Sequence, residues 1–209
     1  MPKQVYSIVP NGPKRIMLEW QGFGREVMVR FDGQTLGTLR GQAELNAGQQ
    51  FTLPDGSTLQ VQLVRTWFSA ELRVLRNGKP VPGSPSDPIT RWRTAFAIVC
   101  VLAGLNVVLG LIAEFLRVEA LLNAGIGTIT MFYGLIYLML AFFVQRRSLV
   151  ALVLATAFFA LDSIVGIALG IADGQAPGLA GILVRFFILV PLIQGVIALR
   201  EIVRIRDGV

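Results

Sequence analysis

Two charged residues stand inside long apolar runs of this sequence, Asp162 within 149–172 and Arg185 within 179–199. An ionised side chain at membrane depth costs several kcal/mol unless it is paired, hydrated or able to snorkel. Asp162 lies eleven residues before Asp173, which is roughly 16 Å of helical rise. Arg185 follows Gly178 by seven residues, roughly 10 Å. A short connection makes their helices antiparallel neighbours, so the sequence predicts an intramembrane ion pair, Asp162–Arg185, facing the bundle interior. Such a pair can fix how two helices rotate and pack. It can also serve a proton or ion relay, which needs further polar groups; Asn106, Gln194, Glu114, Tyr133 and Tyr137 are those available.

Other chemistry finds few residues to carry it. The chain has no histidine, which removes the commonest general base and transition-metal ligand. Its single cysteine, Cys100, sits in an apolar run and reads as a small hydrophobe. No intrachain disulfide or cysteine-cluster zinc site can form. An aspartyl protease working within the membrane needs two facing aspartates, and only Asp162 is deep. Gly22-Phe23-Gly24 is turn-like and lacks the spacing of a phosphate loop. The expectation is a chain without catalytic residues, metal or cofactor.

The elements that position Asp162 and Arg185 follow from hydropathy. The 209 residues are 54% hydrophobic and 15% charged, against about 25% charged in a soluble domain. Crossing a hydrocarbon layer takes about 20 apolar residues, and four spans are expected near 94–116, 121–144, 149–172 and 178–200. They form two helical hairpins in a transmembrane domain of residues 93–209. Arg91, Arg93, Arg146, Arg147, Arg200, Arg204 and Arg206 flank one side of the spans, and Arg117 the other. Basic residues concentrate on the cytoplasmic side, so both termini and the middle loop are expected there. The start, lacking the apolar core of a secretory signal, agrees. The same arginines account for much of the net charge of +6, so the basic balance does not call for nucleic acid.

The two hairpins align with each other. Gly104–Leu111 matches Ala160–Ile167 at an offset of 56, and Met131-Phe132-Tyr133 matches Arg185-Phe186-Phe187 at 54. Asn106 then corresponds to Asp162 and Met131 to Arg185, as in a parallel repeat. Gly104, Gly110, Gly166 and Gly170 are the expected helix-packing positions, since small residues let helices approach closely. Pro191 is expected to bend the fourth span near Phe187.

Before the spans, residues 1–79 read as a β domain. Ile16–Trp20, Glu26–Phe31, Thr58–Val64 and Glu71–Leu75 alternate apolar and polar residues, and Asp32-Gly33, Pro54-Asp55-Gly56 and Asn77-Gly78 are turn signals. Six to eight antiparallel strands in a sandwich or small barrel are expected, without helix. Trp67 and Phe68 are candidates for contact with a partner. Residues 80–92, rich in proline, read as a stiff linker.

Gly24–Gly33 and Leu72–Lys79 resemble the paired strand-turn segments of the Fas apoptotic inhibitory molecule family of β-sandwiches. That likeness implies a sandwich and a role in protein contact, and transfers no active-site residue. Residues 93–209 resemble bacterial inner-membrane proteins of four spans that have no assigned activity. The combined expectation is a multi-domain, multi-pass membrane protein acting as a non-enzymatic scaffold. Its cytoplasmic domain would meet a partner protein, while its helices pack in a complex or a homo-oligomer within the bilayer. The alternative is a small oligomeric channel or transporter with Asp162 and Arg185 in a polar path.

Overall fold

The computed structural model describes residues 3–10, 12–21, 26–65, 70–123, 125–172 and 178–206, which divide into two compact units, Met1–Thr90 and Arg91–Val209. Trp67 and Phe68 lie outside the described residues.

The first unit holds two antiparallel sheets of four strands. One is β1 (Lys3–Ser7), β2 (Lys14–Gln21), β3 (Glu26–Phe31) and β4 (Gln34–Arg40), in that order. The other is β5 (Gln49–Thr52), β6 (Thr58–Arg65), β7 (Ala70–Arg76) and β8 (Lys79–Pro80). Alternation sends Ile16 and Leu18, Val27 and Val29, Leu59 and Val61, and Val74 into one shared core. Two hairpins close through the expected dipeptides. Asp32-Gly33 and Asn77-Gly78 all have positive φ, from 48° to 82°, as a type I′ turn demands. In the third turn, Asp55 Oδ1 accepts from the Ser57 backbone N–H at 3.0 Å and from its hydroxyl at 2.6 Å. Those bonds, with Arg76 beside them, hold the Asp55 carboxyl below its ordinary range. Asp32 is likewise lowered by the Arg15 guanidinium.

Two features depart from expectation. A helix, α1 (Gly41–Ala47), links the sheets. It is two turns long and buries only Leu45, too little to impose a 3.6-residue period on the sequence. The Glu44 carboxylate accepts the Arg40 backbone N–H at 2.7 Å, satisfying a group the helix start leaves open. The proline-rich stretch also starts as part of this unit. Val81 is 1% exposed in the sandwich core, and its N–H donates to the Val74 carbonyl. Buried Ser84 donates its N–H to Val81, and Asp87 accepts from the backbone of Gly83 and Ile89.

The second unit is a bundle of α2 (Pro88–Phe115, whose first turn belongs to the first unit), α3 (Glu119–Asn123), α4 (Thr128–Gln145), α5 (Leu149–Ala172) and α6 (Leu179–Arg206). All but α3 are long and apolar enough to cross a membrane. The expected second span begins later than its hydropathy suggests. After α3, Gly125 adopts φ +76° and the Ile126 N–H returns to the Leu121 carbonyl at 2.9 Å, a Schellman stop. The outward faces are apolar, with Val101, Leu105, Phe132, Leu161 and Phe187 more than half exposed; free Cys100 is exposed beside them on α2. Apolar side chains outside and satisfied backbone within suit lipid. The chain is a multi-pass membrane protein.

Candidate intramembrane polar site

Glycines set the closest helix approaches. A Cβ on Gly110 of α2 would stand 2.7 Å from the Met131 backbone nitrogen of α4. One on Gly134 of α4 would stand 2.5 Å from the Val107 nitrogen of α2. On α6, Gly195 meets Ala95 of α2 in the same way, 2.2 Å from its Cβ. Each position admits hydrogen alone. Gly104, expected at an interface, faces open space, and Gly170 is half-buried. Gly134 and Gly195 were not among the expected packing positions. Their only signal is a small residue amid bulky ones, which says nothing about which face meets a neighbour.

Gly166 works differently, because what lies against it is a cation. A Cβ there would be 2.8 Å from Arg185 Nη2 and 3.0 Å from Nη1. Arg185 Nη1 donates to the Ser163 carbonyl at 2.7 Å. The guanidinium therefore rests on bare α5 backbone. The expected Asp162–Arg185 ion pair does not form: no ion pair among the described residues joins the two. Gly166 stands one turn beyond Asp162, on nearly the same side of the helix, so the guanidinium lies along the Asp162 face of α5 but outside ion-pair distance of the carboxylate. Asp162 is exposed, with no hydrogen bond or ion pair among the described residues. Ser163, overlooked in the sequence, is buried, and its hydroxyl has no partner among those residues.

The remaining polar positions are spread along the bundle. Asn106 is half-buried and donates to the Leu102 carbonyl of its own helix at 2.7 Å. Tyr133 of α4 meets Phe158 of α5 edge-on, with ring centroids 5.2 Å apart, and Tyr137 lies at the same distance from that ring. Gln194 is half-buried on α6. Glu114, nearer the far end of α2, accepts from the Thr128 hydroxyl at 3.0 Å.

No family model, curated protein or solved structure matches this chain.

Each long helix carries one polar residue seven positions from a member of the shared core: Asn106 from Val99, Tyr133 from Leu140, Asp162 from Ala155, Arg185 from Leu192. Seven residues are two turns, about 10 Å of rise with about 20° of drift. The four polar residues thus continue the core-facing stripes. The count runs forward on α2 and α5 and backward on α4 and α6, which is one direction along an antiparallel bundle. Val99, Leu140, Ala155 and Leu192 are at most 7% exposed. Two turns on, Asp162 and Tyr133 are exposed and Asn106 and Arg185 half-buried. The common four-helix core ends between these levels, and a ring of polar groups borders its end. Among the described residues, no three cysteine or carboxylate side chains gather as metal ligands.

The hairpins also correspond in space. Gly110 abuts Met131 in one, and Gly166 abuts Arg185 in the other. These are the positions that align in sequence, and a repeat requires such equivalence.

Proposed function

We propose that the chain is a non-enzymatic integral membrane scaffold. Its bundle anchors it in the bilayer, and its β unit, on the cytoplasmic side with both termini, contacts a partner protein. The observation that carries this reading is an open sheet edge. Among the described residues, strand β1 pairs with β2 alone, with Lys3 and Gln4 exposed. An unpaired edge is a template for strand addition, and the likeness to the Fas apoptotic inhibitory molecule family supports a contact role. The flanking arginines support the orientation.

A photo-crosslinking side chain at Gln4 tests the reading against one at exposed Glu44 of α1. A discrete protein adduct from position 4 and not from 44 is expected in cells. Equal adducts, or none, would remove the edge from consideration. Exposed Asp162 favours a second reading, a small oligomeric channel or transporter. Flux into proteoliposomes that Asp162→Asn abolishes would establish it in place of the scaffold.

A further inference from the structure

We propose that the polar ring bordering the four-helix core binds a group carrying both an ammonium and an anionic centre: an amino-acid-like zwitterion or a phosphoethanolamine headgroup. The proposal stands apart from the scaffold reading, and equilibrium binding tests it without reference to flux.

The two charges of the ring are opposite and form no ion pair with each other. Arg185 is seated on α5 by the Ser163 carbonyl and the bare face of Gly166, one turn beyond Asp162 on the same helix. A guanidinium has five N–H donors in a planar fork. The bond to Ser163 uses one direction and leaves the others for an anion. Asp162, ionised, is acceptor-only, and no hydrogen bond or ion pair holds it among the described residues. Two charges at membrane depth that do not meet are unfavourable unless each is compensated. A simple cation would answer Asp162 and leave Arg185; a simple anion would do the reverse. A zwitterion answers both and leaves the net charge of the ring at zero. The neutral members suit the same ligand. The Asn106 amide nitrogen is engaged with Leu102, which leaves its carbonyl oxygen as an acceptor for an ammonium, and Tyr133 adds a hydroxyl.

The repeat gives the ring its asymmetry. The first hairpin carries neutral Asn106 and Met131 where the second carries Asp162 and Arg185. Both charges therefore come from one hairpin, and the other supplies uncharged polar groups.

The test uses the full chain, in a detergent free of phosphatidylethanolamine, and follows thermal stability and equilibrium binding. The free-solute probes are glycine, β-alanine and 4-aminobutyrate, which differ in charge separation, with butylammonium and butyrate as singly charged controls. The lipid probes are short-chain phosphatidylethanolamine and phosphatidylglycerol. At least one zwitterion is expected to bind and stabilise, with the singly charged solutes and phosphatidylglycerol inactive. Stabilisation by an amino acid marks a free solute as the ligand; stabilisation by phosphatidylethanolamine alone marks a headgroup. Asp162→Asn and Arg185→Gln should each weaken binding about thirtyfold, Arg185→Lys less, and Gly104→Ala not at all. Failure of every zwitterion to bind would overturn the proposal, as would equal binding of singly charged probes or unchanged affinity in Asp162→Asn. Should a variant misassemble, the wild-type comparison of zwitterions with singly charged probes decides alone.

Discussion

The Arg185 guanidinium lies against the Cα of Gly166, so that any side chain at 166 would meet it 2.8 to 3.3 Å away. This pairing of a cation with an absent side chain makes it possible for an arginine to sit on a membrane helix. A leucine in that place would force the charge outward.

Gly166→Ala should accordingly destabilise the bundle modestly, by about 1 kcal/mol, since the obstructing atoms end a flexible side chain that can shift. Unfolding in mixed micelles measures it. The cost should shrink in an Arg185→Ala background, because the clash is then gone; an unchanged cost would show that Gly166 matters for another reason.

Gly110→Ala and Gly134→Ala meet backbone atoms within 2.7 Å, which cannot turn aside. Each should cost upwards of about 2 kcal/mol, within the range for overpacking, and push α2 from α4. Gly104→Ala enters open space and should be neutral or stabilising by up to about 1 kcal/mol through helix propensity. The same micelle assay ranks the three, and a costly Gly104→Ala would contradict the packing described.

In the β unit, Val81→Ala should cost about 2 kcal/mol, as for other large-to-small core changes, although its neighbours in sequence are prolines and glycine. Hydrogen exchange at strands β6 and β7 would report it. Unaltered protection would mean that residue 81 belongs to a free linker.

Acid should loosen the same unit. The Arg15 guanidinium lowers the Asp32 pKa, and the Ser57 hydroxyl and N–H, then Arg76, lower that of Asp55. With the folded value depressed, the unfolded chain takes up protons first. The stabilisation is whole above the ordinary aspartate value of about 4. It is lost as pH falls through the lower folded values. Protection of β-strand amides in the full chain should drop across that window, and less so in an Asp32→Asn, Asp55→Asn double variant.

Much of this architecture is legible in residue order. The turn dipeptides Asp32-Gly33 and Asn77-Gly78 announce hairpins because few other pairs tolerate positive φ twice in succession. Helix α1 escapes notice because seven residues with one buried leucine leave no periodic trace. The break before α4 turns on Gly125, a residue type that tolerates positive φ, but it lies within 26 uncharged residues whose hydropathy reads as one span. Gly110 and Gly104 are alike in size and setting in the sequence, yet only Gly110 faces a neighbour.

By itself the sequence determined the two zones, the strand alternation, the number of spans and the two deep charges, because hydrophobic burial and local backbone preference act through composition and short spacing. Where those charges went was a tertiary matter. Asp162 and Arg185 are close in depth and sit on adjoining helices, yet the guanidinium is bonded to the Ser163 carbonyl and laid against Gly166, and the carboxylate stays outside ion-pair distance. Angular placement about a helix axis depends on every packed neighbour at once. Whether two opposite charges meet or stand apart was therefore decided by the assembled bundle.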